Sequence, residues 1–240
     1  TVPRGPQGRP VLVQAGSSEP GRAFAAKHGE AIFTAVLEKS AAQDFYRDIK
    51  SRLAAHGRSP DQCMIMPGFS PVIAPTEAEA RRYAQELDEL GNQDVGLKRL
   101  SATFGGIDLT RFDLDAPLSP DDFPDPATLR GSVSRPTLIV DLVRNEHPTL
   151  RELLFKLSGA RGHYTFAGTP EQVADLMEDW VSDEAADGFN LMPPVLPEML
   201  DVFIAEVIPL LQKRGIFRTG YETDTLRDHY GLQQPASRFD

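Results

Sequence analysis

The stretch from Pro10 to Ser18 constrains this chain more than any other. Its apolar run, bounded by Pro10 and Gly16, predicts a short strand buried on both faces. Glu19, Pro20 and Gly21 then open a helical pattern through Phe24, Ala25 and Ala26. At such a junction the first helical amides lack intrahelical partners and the helix dipole turns its positive end outward, so an anion is favoured there. Gly16, Ser17 and Ser18 are therefore a candidate cradle for a phosphate or carboxylate. The same serines also suit a helix N-cap, and the two roles can coexist.

At 240 residues the chain is long enough for one large domain. A net charge of −10, with the acidic residues spread along the helical patterns, argues against nucleic acid as a partner. No apolar run approaches the roughly 20 residues needed to span a bilayer, so no membrane partner is expected. The single cysteine, Cys63, fits a reducing compartment, and a cytoplasmic location is expected. The first ten residues carry neither an initiating Met nor the apolar core of a signal peptide, so the chain is expected to be cut from a longer one.

After the first helix, residues 30–35 form a second apolar run. From Ser40 to His56 a four-residue step (Ala41, Phe45, Ile49, Leu53) predicts an amphipathic helix closed by Gly57. A third strand is expected from Cys63 to Met66, extended beyond Pro67 and Gly68 by residues 71–74. Thr76 and Glu79 then form a capping box that opens a helix to about Leu90. Strand alternating with helix three times over ninety residues marks a parallel α/β architecture.

From about residue 91 to 136 the periodicity fails, and Gly105, Gly106, Pro117, Pro120, Pro124 and Pro126 break any long element. This segment reads as an irregular insertion over the mouth of a barrel. Its aspartates, Asp108, Asp113, Asp115, Asp121, Asp122 and Asp125, lack the spacing of a calcium loop and read as turn formers and caps.

Helices are expected again from Thr149 to Phe155 and after the Thr169, Pro170, Gln172 capping box, where Val173, Leu176, Met177 and Trp180 continue an apolar stripe that reads as core. A fourth strand is expected at residues 188–192, then a long helix through Met199, Phe203, Val207, Leu210 and Leu211. Beyond Gly215 lies a polar tail, residues 216–240, with Tyr221, Tyr230 and Leu226 as candidate anchors. No pair among His28, His56, His147, His163 and His229 has metal-ligand spacing, and no metal site is expected. His163 either lines the barrel mouth or sits in a loop. No Gly-x-Ser-x-Gly elbow supports a serine hydrolase.

Taken in order, residues 8–18, Phe104 to Thr110 with Asp113 to Pro117, Phe166 to Asp175, Asp187 to Leu191 and Pro209 to Arg218 resemble the nitrilotriacetate and dibenzothiophene-sulfone monooxygenases. These belong to the bacterial luciferase-like superfamily of flavin-dependent TIM barrels. The resemblance covers almost the whole chain and rests on the motifs jointly. It implies a TIM (β/α)8 barrel of which residues 1–240 form the C-terminal half, with about four of the eight strands. It further implies a two-component monooxygenase: a separate flavin reductase supplies reduced FMN, and the protein uses it with O₂ to oxygenate a small organic substrate. Gly16, Ser17 and Ser18 would contact the flavin phosphate. Asn190, at the end of the last strand, would either hydrogen-bond flavin or substrate or satisfy neighbouring backbone. The catalytic residues are expected in the first half of the barrel, and the intact protein is expected to be a homo-oligomer. The alternatives are a non-catalytic paralogue of the scaffold and a barrel enzyme that takes another phosphorylated ligand at the same turn.

Overall fold

The computed structural model describes residues 3–90, 93–130, 133–158 and 162–237. The expected start of the insertion at residue 91 lies outside them. The alternation read from the first ninety residues is present: β1 (Val13–Ala15), α1 (Glu19–His28), β2 (Ala31–Thr34), α2 (Lys39–Leu53), β3 (Met64–Ile73) and α3 (Glu77–Glu89) follow one another. Thr76 caps α3 by accepting the Glu79 amide, the bond expected of its capping box.

The three strands pair in parallel. Ala31 registers with Val13 on one side and with Met64 on the other, so Ile32 and Ile65 share a face. That face is buried under α1 and α2, where Ala25, Ala26, Phe45, Ile49, Leu53 and Cys63 pack against the two isoleucines. The opposite face carries Phe33, Met66 and Gly68.

Two further strands join β3. Among the described residues the sheet has five strands where the sequence suggests four, because β4 (Tyr164–Gly168) is unexpected and β5 (Asn190–Leu191) is the one read near residue 190. Phe69 registers with both Tyr164 and Leu191, so β4 and β5 lie on opposite edges of β3. The backbone of Ile65 is taken by Asp187, on the approach to β5, while the Met64 and Ala74 amides donate to Glu30 and Gly168. β2 and β4 therefore occupy one edge in tandem. Phe69 turns its carbonyl to the β5 edge, where it accepts the Met192 amide at 2.8 Å; Pro71, two residues on, faces that edge beyond the end of β5, where no N–H is needed.

The segment read as irregular has a core of its own. It contains α4 (Gln93–Thr103), 3₁₀ turns at Pro120–Asp122 and Pro126–Thr128, and most of its length packs with α5 (Ser134–Glu146) and α6 (Leu150–Ser158). Leu100, Phe104, Leu109, Leu118, Phe123, Ile139, Val143, Leu150 and Leu153 are buried together. The aspartates act as turn formers: Asp108, Asp113, Asp122 and Asp125 each accept a backbone amide two residues on or three residues back. Among the described residues no group of three or more His, Cys, Asp or Glu is placed to hold a metal ion. No helix there is long and apolar enough to cross a membrane.

α7 (Pro170–Ser182) covers β3 and β4 with Val173 and Ala174. The last long helix runs as α8 (Glu198–Val202), a π turn at Phe203–Val207 and α9 (Ile208–Lys213), with Pro209 just beyond the turn. The tail folds back as α10 (Leu226–His229). Of the expected anchors Tyr230 reaches Met66, whereas Tyr221 and Leu226 are exposed; Arg227 and Leu232, which were not expected, are buried. Arg227 donates to both oxygens of Glu30 at 2.8 and 3.0 Å and to the carbonyls of Arg9 and Pro10, at the end of the sheet where β1 and β2 begin.

Candidate functional site

β1 and β2 end beside the start of α1. Ser18, in extended backbone, caps α1: its hydroxyl accepts the Gly21 amide at 3.4 Å. Gly21 is small for a reason, since a Cβ there would lie 3.1 Å from the Gly16 carbonyl oxygen. The cap therefore draws the first turn of the helix down onto the strand end and holds the Gly16, Ser17, Ser18 turn against it.

These residues open onto a cleft of about 380 Å³, walled by Arg22, Thr34 and Phe45 on one side and by Ser134 and Thr137 of α5 on the other. Among the described residues that line this cleft Glu19, Glu38 and Asp141 are the carboxylates and Arg22 is the cation. Its Nε donates to the Ser17 carbonyl at 2.8 Å and one terminal nitrogen to Asp48 at 2.9 Å, and the guanidinium lies 5.0 Å from the centre of the Phe45 ring. Asp48 also accepts from Arg52 at 2.7 Å, and Arg52 grips Glu19 through two bonds of 2.6 and 2.9 Å. Burial pushes the Asp48 carboxyl up, but Arg52 and Arg22 together outweigh it and hold it below the usual carboxylate range. Thr34 is 4% exposed, and its hydroxyl has no hydrogen-bond partner among the described residues. A buried hydroxyl left unpaired is costly, and a ligand oxygen in the cleft would satisfy it.

Asn190 is elsewhere. It registers with Gly68 on β5, and its amide donates to the Met66 carbonyl at 2.9 Å. The backbone-satisfying alternative is thus the one made here. From β1 across β2 and β3 to β5 is three strand spacings, about 14 Å, so Asn190 and the serines bracket opposite parts of the sheet end.

His163 sits between them, on the face away from α1 and α2. Its ring stacks on Phe33 with centroids 4.9 Å apart, and it hydrogen-bonds the Thr34 backbone. Burial, with the nearby Arg135 charge, pushes its pKa down and so favours the neutral imidazole. Gly68 makes room for it, since a Cβ at that position would lie 2.4 Å from Nδ1.

Of the residues singled out by spacing, Ser17 and Ser18 line the cleft and Gly16 lies beside them under Gly21; spacing does not point to Arg22 or Thr34 in the cleft, nor to Gly68 under His163. The signal for Arg22 was present: it stands one turn beyond the cap, where its side chain can fold back over the helix start. Thr34 at the end of a buried strand carries no comparable signal.

Hydroxyls, the Glu19 amide at the helix start and one arginine are donors that suit an oxyanion such as a phosphate monoester. Residues 1–186 match the family model described as luciferase-like monooxygenase. Over 239 residues the chain is 48% identical to N-acetyl-S-(2-succino)cysteine monooxygenase of Bacillus subtilis (strain 168), covering 99% of this chain and 53% of that protein. It is 49% identical over 236 residues to nitrilotriacetate monooxygenase component A of Aminobacter aminovorans, covering 98% and 51%. The crystal structure of riboflavin lyase with modified FMN and substrate riboflavin superposes with a TM-score of 0.76 at 33% identity, over 97% of this chain and 50% of that one. The chain spans about half the length of the curated relatives it matches.

Proposed function

This chain belongs to the luciferase-like monooxygenase family, and we propose on that basis that it is the C-terminal half of a TIM barrel that binds reduced FMN and oxygenates a small organic substrate with O₂. The electrons come from a separate flavin reductase, and the intact protein is a homo-oligomer. The observation that carries the cofactor assignment is the cleft at the end of β1 and β2, where Ser17, Ser18, Arg22 and the unpaired Thr34 hydroxyl converge. These groups fit a phosphate monoester.

Reduced flavin, when bound, supplies the chemistry that activates O₂. This chain's part is to bind and to exclude water. The hydroxyls of Ser17 and Ser18 and the Glu19 amide would donate to the phosphate, since Pro20 has no N–H and the Gly21 and Arg22 amides are taken by Ser18; Arg22 would neutralise part of its charge, and Gly16 keeps the turn close to the helix. Asn190, three strand spacings from the serines, has its amide committed to the Met66 carbonyl and is assigned to the ring or the substrate through its side-chain carbonyl oxygen. The packed insertion, with α5 as one wall of the cleft, keeps solvent from the phosphate side.

Ser17→Ala combined with Ser18→Ala in the full-length protein tests the site. Anaerobic titration with reduced FMN should show affinity falling at least tenfold, since each hydrogen bond to a charged group contributes about 1.5–3 kcal/mol. Unchanged affinity removes the assignment. A phosphorylated sugar protecting the protein from heat while FMN does not would assign the cleft to another ligand.

A further inference from the structure

We infer that Arg52 is a positioning residue for the cleft: it withdraws the Glu19 carboxylate from the start of α1 and, through Asp48, aims Arg22 at the incoming anion. The inference rests on the reading that the cleft takes the flavin phosphate. Glu19 is the first residue of α1, where a carboxylate settles beside the positive helix end. Left there, it would repel the phosphate.

Both Glu19 oxygens are instead taken by the Arg52 fork from α2, while the Nε of Arg52 holds Oδ1 of Asp48. That leaves Oδ2 of Asp48 to fix Arg22, which is also pinned by the Ser17 carbonyl and the Phe45 ring. The second terminal nitrogen of Arg22 has no protein partner among the described residues. The four charges sum to zero, so the network adds no net repulsion of its own. A separate observation points to a ligand here: Thr34, on a different element, is 4% exposed, lines the same cleft and leaves its hydroxyl unpaired. Lysine cannot replace Arg52 in this arrangement, because a point charge does not span two carboxylates as a planar fork does.

The test is anaerobic titration of the full-length protein with reduced FMN and with reduced riboflavin, which lacks the phosphate. Arg52→Gln should weaken reduced FMN about tenfold, the scale of one freed like charge near the anion, and leave reduced riboflavin within about twofold. Adding Glu19→Gln to Arg52→Gln should restore most of the lost affinity, which no loss of packing predicts. Arg52→Lys, the gentler change, should show the same selectivity at reduced size. Equal weakening of both flavins, no weakening with either variant, or no rescue by Glu19→Gln overturns the role of Arg52. If the unaltered protein holds reduced riboflavin as tightly as reduced FMN, the phosphate reading itself falls and this inference with it.

Discussion

Glu30→Gln measures what holds the carboxy-terminal segment to the sheet. The Glu30 carboxylate, 7% exposed, accepts five hydrogen bonds: two from Arg9 at 2.8 Å, two from Arg227 at 2.8 and 3.0 Å and one from the Leu12 amide at 2.9 Å. Glutamine keeps the shape but turns an NH₂ toward guanidinium donors, leaving Arg227, 1% exposed, as a buried cation held only by carbonyls. Breaking a buried pair in this way costs about 3–5 kcal/mol. An independent route gives a similar figure. Burial pushes the Glu30 pKa up, but Arg227, Arg9 and the Leu12 amide overcome it and bring it from 4.5 down to about 2. A folded-state pKa below the unfolded value means stability that is present above pH 4.5 and lost as the pH falls toward 2, worth about 3 kcal/mol. Urea unfolding of the full-length protein at neutral pH should show Glu30→Gln losing about 3 kcal/mol, and the variant should lose less than the unaltered protein on going from pH 5 to pH 2. Arg9→Met is the control, because the Arg9 side chain is 42% exposed and its pair should contribute under about 1 kcal/mol. If Glu30→Gln costs no more than Arg9→Met, the buried pair does not hold the tail.

Gly68→Ala places a methyl 2.4 Å from His163 Nδ1 and 2.9 Å from the Met192 sulfur, so His163 must leave Phe33; a loss of about 1–3 kcal/mol in chemical unfolding is expected. Asp187 accepts from Lys50 and the Ile65 amide at 2.7 Å and from the Tyr46 hydroxyl at 3.0 Å. Asp187→Asn should cost about 2–3 kcal/mol and lower the Tyr46 pKa, which burial and then the Asp187 charge hold above the usual phenol range; an ultraviolet titration reads this directly. Cys63 is buried and its thiol pKa is pushed up by burial, so it should resist thiol reagents in the folded protein and react once urea unfolds it.

What the sequence revealed depended on how local the cause was. The order β1, α1, β2, α2, β3, α3 was legible because β1 ends at Gly16, α1 and α3 are capped by Ser18 and Thr76, and α2, which has no side-chain cap, carries its apolar step through Phe45, Ile49 and Leu53. α5 was not, because Ile139, Val140 and Val143 are β-branched and Pro136 stands in its first turn; burial against Leu100, Phe104 and Leu153 outweighs those weak preferences. α4 was hidden by Gly96 in its first turn, and β4 by its position directly before a strong helix cap at Thr169.

The candidate site divides in the same way. The serine turn was legible because a cap is a matter of three residues. The groups around it were not, because each reaches it from another element: Thr34 from the end of β2, and Arg52 from across the α1–α2 interface, 33 residues from the Glu19 it holds. The same reasoning says which changes at the site a sequence comparison would misjudge. Glu19→Gln reads as the loss of a favourable charge at a helix start and predicts a slightly weaker α1. In the folded chain that charge already belongs to Arg52, so the substitution frees a guanidinium beside an anion cleft. Tighter binding of reduced FMN by Glu19→Gln, without a matching gain for reduced riboflavin, is the outcome expected when a carboxylate is removed and a guanidinium freed beside the phosphate. An unchanged affinity would mean that the helix end and the Arg52 fork lie too far from the phosphate to act on it.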